Sequence, residues 1–209
     1  MIGADGIVIP DWLDVSRETV ALLEQFVELI EKWNPTINLV SRRSMSELWE
    51  RHVLDSAQLF SLIPTGARHL VDLGSGGGFP GVVLAIMARD VLPELRFTLV
   101  EADQRKATFL SEVVRRLSLN CIVAAHRIEV LAPQNADVVT ARALAPLTTL
   151  CGQVHRHLGP DGTALIAKGE KVDAELAETG TVWAFQVTRF ASKLDPNAAV
   201  LAITGLRHV

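Results

Sequence analysis

Residues 72 to 81 read Asp72-Leu73-Gly74-Ser75-Gly76-Gly77-Gly78-Phe79-Pro80-Gly81, between the apolar Leu70-Val71 and Val82-Val83-Leu84-Ala85-Ile86. The pattern is a strand, a glycine turn and a helix start. Glycines let a ligand approach where a Cβ would collide, and the start of a helix offers N–H groups with no partner inside the helix. The chemistry on offer is retention of a nucleotide-like ligand. Gly76, Gly78 and Gly81 satisfy GxGxxG, and Glu101 lies about 20 residues beyond the turn, as in dinucleotide-binding folds. A second frame, Asp72, Gly74, Gly76 and Gly78, gives DxGxGxG with the acid in the strand itself.

The elements that must position this turn follow from hydrophobic periodicity. Ser16 is placed to cap a helix carrying Val20, Leu22, Leu23, Phe26, Val27, Leu29, Ile30 and Trp33 on one stripe, with Pro35 as its stop. A second helix is predicted from Ser44 to about Leu62. From residue 69 short apolar strands alternate with helices, at 69–73, 80–89, 96–100, 104–117, 121–125, 137–140, 147–158 and 163–167. Two further strands, 182–189 and 198–203, predict a closing hairpin with one antiparallel member. Such alternation means a parallel sheet covered by helices on both faces. The expected fold is therefore α/β and Rossmann-like, a seven-stranded, mostly parallel sheet in residues 66–209 behind a helical extension in residues 1–65.

With 209 residues and 49% hydrophobic content, the chain can bury a full core. No apolar run approaches the roughly 20 residues of a membrane span, and Met1-Ile2-Gly3-Ala4-Asp5 lacks a basic region followed by an apolar one, so a cytoplasmic protein without membrane contact is expected. Cys121 and Cys151 lie far apart with no paired histidines, so neither a disulfide framework nor a metal site is expected. A net charge of -4 argues against tight, non-specific binding of naked nucleic acid. Any such partner must meet a local basic patch, and a monomer is expected.

Ligands of open α/β sheets lie beyond the carboxyl ends of the strands. The DxGxGxG frame resembles the first motif of S-adenosylmethionine-dependent methyltransferases, which implies S-adenosylmethionine as cofactor, with Gly74, Gly76 and Gly78 beside its methionine part. Glu101 ends the second strand, where it can accept hydrogen bonds from ribose hydroxyls; it reads equally as an acid capping the next helix. Arg127-Ile128-Glu129, after the third strand, offers the apolar contact, backbone N–H and acid that methyltransferases of this class place around adenine. After the fourth strand, Thr140-Ala141-Arg142-Ala143 lacks both the Pro-Pro-aromatic run of amino-group methyltransferases and the Pro-Cys of cytosine-carbon enzymes. Arg142 stays protonated and cannot serve as a base. The acceptor is therefore expected to be already nucleophilic, with Arg142 holding a carboxylate, a phosphate or a base edge, or else pairing with a nearby acid such as Asp72 or Asp137.

Asn38-Leu39-Val40-Ser41, Arg51-His52-Val53-Leu54-Asp55-Ser56, the 71–81 stretch, Thr140-Ala141-Arg142-Ala143 and Lys168-Gly169 occur in the order and spacing of one family. From Trp33 to about Gly169 the chain resembles the bacterial small-subunit ribosomal RNA guanine-N7 methyltransferases, also called the glucose-inhibited division protein B family. Residues 192–197 lack that family's Glu-Arg-x-Leu pattern. The resemblance implies cofactor contacts at Gly74, Phe79, Ile128, Glu129 and Arg142, with Glu101 at the ribose. It makes Arg142 the candidate catalytic residue and turns Arg51, His52, Arg105, Arg127 and Lys168 toward RNA. The implied substrate is 16S ribosomal RNA in the small subunit or an assembly intermediate. Guanine N7 bears a lone pair and no proton, so no general base is needed, and a base to be modified must be reached outside its stack.

Arg42-Arg43, Arg105-Lys106, Arg115-Arg116 and Lys168 with Lys171 form either a phosphate-binding rim or solvated helix faces. His52 and Asp55 are three apart and share a helical face. Trp12, Trp33, Trp49 and Trp183 read as core or interface anchors. The competing functions are a nicotinamide-dependent oxidoreductase and a methyltransferase fold acting on a small metabolite.

Overall fold

The computed structural model describes residues 9–142 and 144–209; the Met1–Asp5 segment and Ala143 lie outside the described residues. Helix α1 (Arg17–Ile37) begins where Ser16 Oγ accepts the Thr19 N–H at 3.1 Å. Pro35 does not stop it. The proline sits in the last turn, and the helix ends at Asn38, which takes the left-handed conformation at φ 55° while the Asn34 side chain accepts the Val40 N–H at 2.9 Å. The predicted helix from Ser44 to Leu62 is a chain of short turns instead. Helix α2 (Arg42–Met45), a π-helical turn (Trp49–Leu54), α3 (Asp55–Ala57) and a 3-10 turn (Phe60–Leu62) follow one another, and Ser56 Oγ donates back to the His52 carbonyl at 2.6 Å. A π turn re-aims the side chains it carries, a geometry often found at functional sites.

The sheet is built from β1 (His69–Leu73), β2 (Arg96–Val100), β3 (Cys121–Ala124), β4 (Ala136–Arg142), β5 (Leu158–Lys168), β6 (Trp183–Ala191) and β7 (Ala199–His208), in the order β3-β2-β1-β4-β5-β7-β6. All pairings through β5 are parallel, and β7 runs antiparallel to both β5 and β6. The expected seven-stranded sheet and closing hairpin are both present. Helices α4 (Gly81–Val91), α5 (Gln104–Leu117), α6 (Leu147–His157) and α7 (Val172–Thr179) complete the layers. Sequence periodicity did not anticipate α7, which buries only Val172 and Thr179 at its two ends.

Alternation along the strands divides the core. Leu70 and Val138 join α4, α5 and the extension in one apolar cluster, whereas Val71 and Val139 join α6 and Trp183 in another on the opposite face. The extension belongs to the first cluster. Phe26 packs on Phe79 with ring centroids 5.3 Å apart, and Trp33 on Phe109 at 5.8 Å. Trp183 is buried between His155 and His208, as an anchor should be. Phe26 is fully buried beneath the glycine turn, so Phe26→Ala is expected to destabilise the whole chain by about 3–5 kcal/mol. A single urea transition reported alike by tryptophan fluorescence, to which Trp12, Trp33 and Trp49 of the extension contribute with Trp183, and by far-UV circular dichroism would show the extension and sheet unfolding together; two separated transitions would contradict the shared core.

Candidate active site

The glycine turn follows directly from β1 and faces the carboxyl end of the sheet. Gly74, Gly76 and Gly78 all have positive φ, at 67°, 55° and 98°. At Gly76 a Cβ would find nothing nearer than the Gly74 carbonyl oxygen at 3.7 Å, so that side of the turn is open. Gly74 lies under Leu144, whose Cδ1 would be 2.5 Å from a Cβ. The start of α4 is not free for a ligand, contrary to the simple reading of the motif. Gly81 N–H donates to Asp72 Oδ2 at 3.2 Å and Val82 N–H to the Gly78 carbonyl at 2.8 Å.

Glu101 stands just beyond β2 and accepts the Gly76 N–H at 2.8 Å through Oε2 and the Asp103 N–H at 2.8 Å through Oε1. The cap of α5 is Asp103, which accepts the Arg105 and Lys106 N–H groups, so Glu101 is released from capping. Each of its oxygens retains a second acceptor position. Those positions, beside an open glycine turn, suit vicinal ribose hydroxyls. Ile128 is buried and its carbonyl accepts from His157 Nε2 at 2.9 Å; Glu129, half exposed, accepts from Gln153 at 2.9 Å. The residues expected to surround an adenosine thus lie at the ends of β1, β2 and β3, and they fit such a ligand.

Arg142 closes β4. Its side chain shares a face with Val138 and Thr140 and points toward the extension. Its guanidinium donates to the Arg51 carbonyl at 2.9 Å and to Asp55 Oδ2 at 3.1 Å, contacts His52 Nδ1, and lies over the Phe79 ring with Cζ 5.3 Å from the centroid. The acid it pairs with is therefore neither Asp72 nor Asp137. Asp72 takes Thr140 and Gly81, and Asp137 accepts the Arg68 and His69 N–H groups at 2.8 and 2.9 Å. Asp55 is the residue whose role the sequence reading missed; its place in the Arg-His-x-Leu-Asp-Ser signature was the available signal.

His52 stacks on Phe79 with centroids 5.0 Å apart and 28° between planes. Because a guanidinium only donates, Nδ1 is the acceptor and the proton resides on Nε2, a buried atom with no partner among the described residues. Burial, reinforced by the charges of Arg142 and Arg51, pushes its pKa down to about 4. His52 is neutral at physiological pH and forms part of the wall behind Arg142.

A cavity of about 1390 Å³ opens on the β4 and β5 side, lined by Arg51, His52 and Asp55 of the extension, Arg142, Leu144, Lys168 and the 192–198 loop between β6 and β7. Lys168 is not a free cation at its mouth. Its ammonium, 10% exposed, donates to the Ala145 carbonyl at 2.8 Å and to Glu175 Oε2 at 2.7 Å. Burial pushes Glu175 upward, but the bonds from Lys168 and from the Leu147 N–H at 2.7 Å hold its pKa below the usual value. Arg51, Arg105 and Arg127 are exposed, each beside a carboxylate: Glu47, Asp103 and Glu129. Among the described residues no helix is long and apolar enough to cross a membrane.

The strand order with a reversed β7 departs from the dinucleotide-binding order, in which the sixth strand lies at the edge beside the fifth. The chain superposes on a methyltransferase from Geobacter sulfurreducens with a TM-score of 0.60 (12% identity, covering 94% of this chain and 91% of that one). A SAM dependent methyltransferase from Aquifex aeolicus gives 0.58 (15% identity, 85% and 97%). The chain shares the fold of these methyltransferases. The family model for rRNA small subunit methyltransferase G matches residues 19–198. The chain is 50% identical over 197 residues to ribosomal RNA small subunit methyltransferase G of Cereibacter sphaeroides (94% of this chain, 96% of that one) and 45% identical over 195 residues to its counterpart in Gluconobacter oxydans (93% and 98%). The chain belongs to the rRNA small subunit methyltransferase G family, and the match reaches well past Gly169, into the loop between β6 and β7.

His52 should stay neutral across the physiological range. Its imidazole resonances are expected to remain flat from pH 8 to 5 and to move only near pH 4. The unfolded histidine takes up its proton near 6.5, so the stability contributed here is full above that pH and is lost as pH falls toward about 4. A midpoint near 6.5 in the folded protein would contradict the Arg142–His52 arrangement.

Proposed function

We propose that the chain acts as a cytoplasmic monomer and methylates N7 of a guanine in 16S ribosomal RNA, within the small subunit or an assembly intermediate, using S-adenosylmethionine. The observation that carries this reading is that Arg142 joins the two parts of the site, lying over Phe79 of the glycine turn and lining the large cavity. When bound, the cofactor supplies an electrophilic methyl group: the N7 lone pair forms the new N–C bond, the C–S pair returns to sulfur, the positive charge passes to the base and no proton moves.

The protein's own residues then have three tasks. Glu101, Ile128 and Glu129 hold the adenosine part and the glycine turn its methionine part, fixing one reactant. The cavity receives the base and excludes water, and orientation of this kind is worth roughly 7–11 kcal/mol in well-aligned cases. Arg142, locked by Asp55 and the Arg51 carbonyl, keeps the two compartments in register and presents no basic group. The cavity lining mixes acids, among them Glu47, Glu50 and Asp195, with the cations Arg51, Arg142, Lys168 and Lys171, so an extruded base meets both signs of charge there, and Arg105 and Arg127, exposed and outside that lining, are left for the RNA backbone.

A Cβ at residue 76 would meet nothing nearer than the Gly74 carbonyl oxygen at 3.7 Å, so Gly76→Ala should cost only the roughly 1–2 kcal/mol of a strained backbone while weakening S-adenosylhomocysteine binding more than tenfold by calorimetry. Unchanged affinity would place the cofactor elsewhere. Arg142→Ala is expected to lower turnover at least a hundredfold with the circular dichroism spectrum retained. Mass spectrometry of 16S RNA from cells with and without the protein tests the product; a missing methyl on any atom other than guanine N7 would overturn the reading.

A further inference from the structure

We infer that Asp55 biases the methyl transfer electrostatically, forming with Arg142 a fixed ion pair in the wall of the acceptor cavity whose positive end extends to the glycine turn at Phe79 while its negative end faces the cavity alone. The inference rests on the guanine-N7 reading above. Arg142 lines the cavity and also reaches over Phe79 of the turn at 5.3 Å, whereas Asp55, 3.1 Å from its guanidinium, lines the cavity and makes no hydrogen bond to the turn among the described residues. The pair is largely shielded, at 17% and 25% exposure, so solvent and salt screen it weakly.

Asp55 is also braced from behind. Buried Gln58 donates to Asp55 Oδ1 at 2.8 Å and to Ser192 Oγ at 3.4 Å, and accepts the Lys193 N–H at 3.0 Å, so the loop between β6 and β7 helps to aim the carboxylate. Methylation of N7 moves one positive charge from the turn side to the cavity side. An anion on the receiving side and a cation on the departing side favour that displacement, and because the dipole is preformed, little reorganisation accompanies the step. The pair is neutral overall and His52 beside it is uncharged, so the cationic base meets no net positive charge.

A carboxylate that merely anchored Arg142 would predict otherwise. With Asp55→Asn, single-turnover methylation of unmethylated small subunits should slow about 10- to 100-fold, while KM for subunits changes by less than about threefold; Asp55→Glu should recover part of the rate. A second readout needs no cofactor. Affinities for subunits carrying 7-methylguanine and for unmethylated ones are compared, and the preference of the wild-type protein for the cationic base should fall about tenfold in Asp55→Asn. If that variant fails to fold, Gln58→Leu, which leaves the charge but removes its brace, should slow transfer in the same direction. An unchanged rate in either variant, or an Asp55→Asn loss that weakens both RNAs equally, overturns the proposal. Failure of the wild-type protein to form any 7-methylguanine is distinguishable from these, and it removes both the underlying reading and this one.

Discussion

Asp72 is a carboxylate sealed from water, and the architecture around the glycine turn exists to satisfy it. A buried charge is tolerated only when surrounded by donors. Two separate elements supply them: the Gly81 N–H at the start of α4, 3.2 Å away, and Thr140 Oγ1 on β4 at 2.8 Å. The register makes the second possible, since Asp72 and Thr140 are Cα partners. Gly81 makes the first possible, because a Cβ there would lie 2.7 Å from Asp72 Oδ2 and 2.5 Å from Leu99 Cδ2. Burial still pushes the Asp72 pKa up to about 6. The stability this group contributes therefore declines as pH rises from 3.8 toward about 6 and is level above that. The residue serves geometry at a cost in stability, pinning strand, turn and helix start to β4 so that Arg142, two residues past Thr140, projects at a defined place.

From that point the extension completes the site. Residues 49–57 bring Arg51, His52 and Asp55 to the single guanidinium of Arg142, and a π-helical turn is what allows three side-chain and backbone groups from one short segment to converge there. Phe79 links this cluster to the turn, with His52 stacked on the ring, Arg142 above it and Phe26 of α1 beneath. Gln58 carries the connection onward to Ser192 and Lys193, and Lys193 in turn sits over Trp12 with Nζ 4.4 Å from the ring centroid. The N-terminal segment and the loop between the last two strands are thereby fastened to the same cavity wall.

The parts of this molecule governed by local periodicity were readable in the sequence. Strands β1 and β2 and helix α5 fall at the predicted residues, because runs such as Leu70-Val71 and the stripe of Ala107, Leu110 and Val113 encode their own burial. Legibility failed where tertiary contacts override local signals. Pro35 sits in the last turn of α1, where it forgoes its own N–H bond back to the Glu31 carbonyl without ending the helix, and Asn38 provides the stop. Residues 42–62 break into short turns since their order comes from Arg142 and the core rather than from a continuous stripe. Glu101 could be placed at its strand end, and Asp103, directly before the helix predicted at 104–117, was the local sign that another acid takes the capping. Lys168 read as a cation for RNA, and only the fold brings Glu175 and the Ala145 carbonyl within reach of it.

Charge placement resolves the tension between an acidic protein and a polyanionic substrate. The net charge of -4 is unfavourable for indiscriminate RNA binding, and several acids line the cavity itself. Three of those acids are paired with cations of the same lining, Glu47 with Arg51, Asp55 with Arg142 and Glu175 with Lys168, so the cavity presents no excess of positive charge to a phosphate. The exposed arginines lie outside or at the rim, each tempered by a neighbouring carboxylate that an incoming phosphate must outcompete. Such an arrangement sacrifices affinity for generic RNA and leaves recognition to the shape of a presented loop.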